Sequence, residues 1–507
     1  MNSSFRTLFV LTLSIVQSAL AADKPPNIVV ILADDLGYND IGLHGNTMVR
    51  TPNIDRIGME GMRFTRGHTS NATCSPSRAG LMTGRNQQRF GYEFVVVPPT
   101  FVSAFNGQLT GANDGNIITE IPTDKQVPME EMGVPPSEFT MAELVKTAGY
   151  RTGVVGKWHI GAAPQFQPLQ QGFDFFTGTL QGAALFDEEN DPKVVNAKLE
   201  WDGIDKFLWN MLNTQMLRDG KPYKPEEYMT DFYANEALRF INESKDNPFL
   251  LYLAFTAPHT PLQAPKDIYD RLDYIADHKT RVYYAMIESM DLAIGRVMDH
   301  LKLLGLEENT LVVFSSDNGG APYTRIPGTN APFRGSKATY FQGGVVVPYL
   351  VKWPAKIAAG QVSSTPVSLL DIYPTVAAAT GAALPGSVAL DGVNLLPLLT
   401  GASDGPVHKA LVWRSGTYKA VLSGDYRLQI DGTQKKDFLY NVSVDVGERN
   451  NLAASMPEKV AELRAIIEKA ETEFIEPIWQ TPAYSKVPAD TWPTTIPENA
   501  EFVYFPI

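Results

Sequence analysis

Cysteine is almost absent from this chain: Cys74 is the only one in 507 residues. A lone thiol closes no disulfide within the chain, so the fold has to stand on its buried core. Long apolar runs are lacking as well. Beyond the N-terminal leader no stretch is long and apolar enough for a membrane-spanning helix. Positive charge is short: 43 Lys and Arg face 56 Asp and Glu, for a formal net charge of −13. Such a surface argues against nucleic acid or anionic membrane as partner, yet leaves room for a locally basic cleft that takes a small anion. Repeats and low-complexity tracts are missing too, and a chain of this length buries a large core.

What is present begins with an export signal. Arg6 precedes the apolar run LFVLTLSIVQSAL, and ALAA at 19–22 supplies small residues for cleavage. Residues 1–22 therefore read as a signal peptide, with Asp23 close to the mature start and a periplasmic or secreted destination. A single unpaired cysteine in an exported protein stands out as a candidate reactive group.

Five short apolar runs recur along the chain: NIVVILADD (27–35), YRTGVVGKWH (150–159), PFLLYLAFTAPH (248–259), TLVVFSSDN (310–318) and VPYLVKWP (347–354). Continuous rather than alternating hydrophobicity predicts strands covered on both faces, as in a mostly parallel sheet. Helical patterns lie between them at 138–149, 230–244 and 281–305. The alternation predicts an α/β fold, with a large mostly parallel mixed sheet between helices. After residue 402 the texture changes to short strands bounded by glycine, then one helical stretch over 456–474 and a proline-rich tail. The expected division is a catalytic domain over 23–402 and a C-terminal subdomain over 403–507, an antiparallel sheet with one helix.

Four of the five apolar runs end in ionisable or amide groups: Asp34-Asp35, Lys157-Trp158-His159, His259 and Asp317-Asn318. Ligands of open α/β sheets bind just beyond the carboxyl ends of strands, so these positions are candidates for one site. In an extended segment Lys157 and His159 would share a face while Trp158 points away. Asp34, Asp35, Asp317 and Asn318 are hard oxygen donors suited to Ca²⁺ and, less well, to Mg²⁺. Each pair read alone would be an ordinary turn.

The stretch CSPSRAGLMTGR (74–85) holds the lone cysteine. Ser75 is the expected N-cap and Pro76 suits the first turn of a helix that stops near Gly84. Residue 74 then lies at the positive helix end, with Arg78 one turn on along the same face. Cys-x-Pro-x-Arg followed by Leu-x-Thr-Gly-Arg resembles the signature of type I sulfatases, the formylglycine-dependent members of the alkaline phosphatase-like superfamily. The resemblance extends in order through NIVVILADDLG, TPNIDRIGMEGMRFT, GKWHIG, APHTP, SSDNGG, FRGSK, VSLLDIYPTVAAATG and FLYNVSVDVGERNNLA, from about 27 to 455. It is weak over 93–137 and 160–230, where substrate-specific loops are expected.

The resemblance implies that a formylglycine-generating enzyme oxidises Cys74, and that the hydrated aldehyde attacks a sulfate ester. It implies Ca²⁺ held by Asp34, Asp35, Asp317 and Asn318 together with residue 74. Arg78 would hold the hydrate; Lys157 and Lys337 would bind sulfate oxygens. His159 would take the proton whose loss expels sulfate, and His259 would protonate the leaving alcohol. His44, His68, Arg89, Tyr92 and Glu93 are candidate substrate contacts. A sulfated carbohydrate, such as an algal polysaccharide or its oligosaccharides, is the expected substrate, with an aryl sulfate as the alternative. Three other readings compete: a phosphonate or phosphate diester hydrolase of the same superfamily, a cysteine hydrolase using the free thiol, and a non-catalytic protein that binds sulfated glycans.

Overall fold

The computed structural model describes residues 24–97, 117–119, 121–122, 125–386, 388–490 and 500–506; the expected signal peptide over 1–22 lies outside them. Seven strands build the main sheet: β1 (Asn27–Ala33), β2 (Met62–His68), β3 (Arg151–Lys157), β4 (Phe175–Thr179), β5 (Phe249–Ala254), β6 (Thr310–Ser316) and β7 (Val346–Lys352). Shorter strands at both edges complete an eleven-stranded sheet with the central order β2-β7-β6-β1-β5-β3-β4. The run from β6 to β4 is parallel throughout. The strand β7 is antiparallel to both its neighbours, which makes the sheet mixed.

The continuous hydrophobicity of β1 has a direct cause. Val29, Ile31 and Ala33 join the core on one face of the sheet, and Ile28, Val30 and Leu32 join the core on the other. All seven β1 residues are buried, as expected where helices cover both faces. Among the covering helices are α1 (Pro52–Met59), α2 (Cys74–Thr83), α3 (Met141–Lys146), α5 (Met229–Ser244) and α6 (His278–Leu303), while α4 (Gly203–Met211) adds no residue to either core.

The C-terminal part carries a four-stranded antiparallel meander, β8 (Leu411–Ser415), β9 (Tyr418–Ser423), β10 (Tyr426–Asp431) and β11 (Lys436–Asn441). Helix α7 (Pro457–Glu471) packs Leu463 and Ile467 on one of its faces, against Val421, Leu428 and Leu439. The other face shares a core with Ala72, Tyr340, Phe341 and Val345 of the preceding part. Trp413 donates Nε1–H to the Thr69 carbonyl at 2.8 Å, and Asn71 Nδ2 donates to Ser415 Oγ at 3.2 Å. The meander thus backs the segment that leads into Cys74. The tail strands β12 (Ala483–Pro488) and β13 (Phe502–Pro506) pair antiparallel with each other, and β12 also takes the short strand Ile117–Ile118 from the chain's first third. The part after residue 402 therefore leans on earlier segments, among them the residues before Cys74 and the strand Ile117–Ile118.

Candidate active site

Adjacent parallel strands put their carboxyl ends side by side. In the order β6-β1-β5-β3 those ends carry Asp317, Asp34-Asp35, His259 and Lys157, so four segments distant in sequence deliver polar groups to one place. Helix α2 brings Cys74 as its first residue, and all ten of its residues are buried. The helix ends at Gly84, whose φ of 65° is the left-handed conformation that glycine adopts freely. Thr73, not Ser75, is the N-cap residue. The Ser75 hydroxyl instead accepts the Val96 N–H at 3.2 Å and ties down the chain that follows the signature.

Arg78 is fully buried. Its Nε and Nη2 both reach Asp317 Oδ2 at 2.8 Å, Nη1 donates to the Lys157 carbonyl at 2.9 Å, and Nη2 lies 3.7 Å from Asp34 Oδ1. Burial works against its charge, but Asp317 and Asp34 more than offset that and hold it above the usual guanidinium range. Lys157 Nζ donates to Asp34 Oδ2 at 2.6 Å, and Lys337 Nζ contacts Asp35 at 2.8 Å. Cys74 Sγ lies 3.8 Å from Asp35 Oδ1, and His259 Nε2 lies 3.7 Å from Asp35 Oδ2. Burial pushes the unmodified Cys74 thiol up to about 12, although Lys157 and Lys337 pull the other way.

One ligand atom from each of Asp34, Asp35, Cys74 and His259 falls within a span of 4.8 Å. Asn318 adds its Nδ2–H to Asp35 Oδ1 at 2.7 Å, while Asp317 Oδ1 accepts the Asp35 backbone N–H at 3.2 Å. Asp34 Oδ1 and Asn318 Oδ1 are buried acceptors without a hydrogen-bond donor. Buried hard oxygens are costly unless a cation or donor satisfies them, so this donor set fits a divalent, oxygen-seeking ion. Three carboxylates (Asp34, Asp35, Asp317) stand against three fixed cations (Arg78, Lys157, Lys337); a divalent ion would tip that balance positive, as an anionic ester requires.

The two histidines are oriented by backbone carbonyls. His159 follows β3 with φ of 60°, so the expected simple alternation with Lys157 breaks there. Its Nε2 faces the Val96 carbonyl at 3.3 Å, which fixes the proton on Nε2 and leaves buried Nδ1 as an unpartnered lone pair. Burial, then Lys157 and Arg78, lower its pKa well below the ordinary histidine value. His259 Nδ1 faces the Thr260 carbonyl at 2.6 Å, which turns Nε2 toward Asp35. Trp158 points away from the site, donating to the Phe166 carbonyl and packing on Phe173.

The expected substrate contacts fare differently. Tyr92 is fully buried on Trp479, Glu93 is locked to Arg414 at 2.8 Å and to the Gly416 N–H, and Arg89 is held by Asp391 and Glu473. His68 is fully buried beside Trp413. These four spend their polar atoms or their surface on contacts inside the protein. His44 stacks on Tyr38 and bonds its carbonyl, near the loop that carries Phe333. Two residues that sequence reasoning passed over belong to the site. Tyr323 donates its hydroxyl to Asp35 Oδ2 at 3.2 Å, with Lys337 Nζ 5.9 Å from its ring centroid. Gly182 faces His159: a Cβ there would come within 2.7 Å of the ring. Neither carries a local sequence signal, because an isolated loop aromatic and an isolated loop glycine are common everywhere.

Comparison with known proteins agrees with this geometry. The Sulfatase family model matches residues 26–382. N-acetylgalactosamine-6-sulfatase of Rattus norvegicus is 34% identical over 421 residues, which cover 81% of this chain and 72% of that protein. Steryl-sulfatase of Mus musculus is 34% identical over 461 residues, covering 78% and 68%. Among solved structures, Ps i-CgsB in complex with k-i-k-neocarrahexaose superposes with a TM-score of 0.75 at 30% identity, over 90% of this chain and 95% of that one. On this family match, these identities and the shared alkaline phosphatase-like fold, the chain belongs to the sulfatase family and is a sulfuric ester hydrolase.

Proposed function

We propose that the protein is exported to the periplasm or beyond and removes sulfate from a sulfated carbohydrate, using residue 74 as formylglycine and a bound Ca²⁺. The observation that carries this reading is the convergence of Cys74, Asp35 and three cations in one buried cluster. Once matured, residue 74 would supply an aldehyde-derived diol as nucleophile, and the cation would neutralise sulfate charge and favour deprotonation of that diol. Asp34, Asp35, Asp317 and Asn318 are the residues that would hold the cation.

The chain's own groups supply the rest. Lys157 and Lys337 bind sulfate oxygens as point charges, and Arg78, fixed by two carboxylates, holds the diol oxygen next to it. Such preorganised donors act on charge that develops in the transition state, at about 3 kcal/mol for one well-placed group. His159 Nδ1 accepts a proton inside the pocket, and its hydrogen bond to Val96 keeps the ring from turning. His259, in its imidazolium form, gives the Nε2 proton to the ester oxygen as the alcohol departs, while Nδ1–H stays on the Thr260 carbonyl. All the proposed catalytic groups are present, which disfavours a purely glycan-binding role.

The carbohydrate assignment leans on the export signal and on the similarity to Ps i-CgsB, whose solved complex contains a neocarrahexaose. Substrate profiling tests the reading: a sulfated oligosaccharide panel against an aryl sulfate and a phosphodiester. The expected result is highest kcat/KM on a sulfated sugar. Higher kcat/KM on the diester would overturn it in favour of a phosphonate or phosphate diester hydrolase.

A further inference from the structure

Beside the catalytic pocket lies a second cationic feature that the chemistry above does not use. The Tyr323 hydroxyl reaches Asp35, while the Tyr323 carbonyl accepts Nε1–H of Trp201 at 3.0 Å. One tyrosine therefore separates the reaction centre from the indole. Two cations sit on that indole: the Arg325 guanidinium at 4.4 Å from the ring centroid and Lys279 Nζ at 5.2 Å. Trp201, Arg325 and Lys279 are all half-buried, so solvent and solutes reach them.

Neither cation has a carboxylate within ion-pair distance among the described residues. Asp202 and Asp277 lie close enough to favour the charges of Arg325 and Lys279 respectively, but neither reaches them as an ion pair and both serve as helix caps. Asp202, next to Trp201, spends its two oxygens on the Ile204 and Asp205 N–H groups as N-cap of α4. Asp277, two residues before Lys279, caps α6 through the Thr280 N–H and hydroxyl. Lys279 Nζ donates instead to the Arg325 carbonyl at 2.9 Å, which brings the two side chains' charges together rather than apart. Arg325 Nε is buried and unpartnered, and its backbone adopts φ of 52°, a conformation that non-glycine residues rarely adopt. In a chain of net charge −13, two adjacent unpaired cations fixed on one aromatic ring form an arrangement that an oxyanion completes.

We propose that Arg325 and Lys279, held by Trp201, form a second anion subsite that takes a sulfate or carboxylate group on the saccharide next to the sulfate being cleaved. This inference rests on the sulfated-carbohydrate reading and narrows it: the favoured substrate carries more than one negative group. Arg325 supplies the planar donor fork suited to such an oxyanion, and Lys279 adds a point charge. Burial lowers the pKa of both groups, which a bound anion would reverse. Trp201 lies in the stretch 160–230, one of the two where the resemblance to the family is weak and substrate-specific loops are expected.

The test compares kcat/KM for two oligosaccharides that share a scissile sulfate, one bearing an adjacent second sulfate or carboxylate and one lacking it. Wild-type enzyme should prefer the doubly charged substrate. The preference should fall about tenfold in Arg325→Gln, further in Arg325→Gln with Lys279→Gln, and should weaken with added salt. Lys279→Gln alone, with a thermal melt to confirm folding, covers the case in which the arginine variant fails to fold. A preference equal in wild type and variants, or none in wild type, overturns the subsite while leaving the sulfatase reading standing. Absence of sulfate release from either sugar, with turnover of an aryl sulfate intact, overturns the carbohydrate reading on which the subsite depends.

Discussion

His259 and His159 do different work because different backbone carbonyls hold them. His259 presents Nε2 to Asp35, where a leaving oxygen would emerge; His259→Ala should keep binding a sulfated ligand while kcat falls by about 100-fold or more. Paired binding and turnover assays check this, and unaltered turnover would remove His259 from the role of acid. Gly182 makes a sharper test of His159. It has no need of a left-handed backbone, yet a methyl group would press within 2.7 Å of the imidazole. Gly182→Ala should lower kcat at least as strongly as it raises KM, with an unchanged melting temperature. An effect confined to stability would mean that the glycine only fills space. Both histidines were legible in the sequence because they sit in distinctive strings at strand ends. Gly182 and Tyr323 were not, because their importance comes from what distant segments place opposite them.

Elements explain why the site is where it is. Four of the five expected runs fall within a residue or two of observed strands, and the fifth, 248–259, overruns β5 by five residues at its end; continuous apolar runs report burial on both faces, and β1 does feed two cores. The direction of β7 was not legible: an apolar run looks the same in either orientation, and the 29 residues of 317–345 are long enough to return the chain for either pairing with β6. The N-cap of α2 was misjudged for a related reason. Ser75 has the right chemistry for a cap, but its hydroxyl is engaged by Val96. The β8 strand matters more to catalysis than its place in a C-terminal sheet suggests, because Trp413 pins Thr69 ahead of the signature helix. Trp413→Ala removes a fully buried ring and should cost about 3–5 kcal/mol. A lowered melting temperature together with lost activity is the expected outcome, and activity at full level in the folded variant would separate the meander from the site.

At the scale of the whole molecule, buried acids link stability to pH. Asp40 accepts hydrogen bonds from Gly37 and Tyr283, tying the loop after β1 to α6. Burial pushes its carboxyl up to about 7 from an ordinary value of 3.8, against the pull of those donors. A raised carboxyl contributes stability that is complete below the unfolded value and disappears as pH rises through the folded one. Asp40→Asn should therefore flatten the fall in melting temperature between about pH 4 and 7, and an unchanged profile would assign that fall to other groups. The cation expected among the strand ends stabilises by mass action if it binds only the folded chain. Chelation should lower both melting temperature and activity, and Ca²⁺ should restore them better than Mg²⁺; indifference to chelator would exclude the ion from the account.

The central claim is that Cys74 is a precursor and that its oxidised form does the chemistry. Mass spectrometry of the tryptic peptide spanning residue 74, taken from active enzyme, tests this most directly. The peptide should have exchanged hydrogen sulfide for oxygen relative to the encoded cysteine, with specific activity rising in proportion to the converted fraction. Full activity in protein whose residue 74 is entirely cysteine would contradict it.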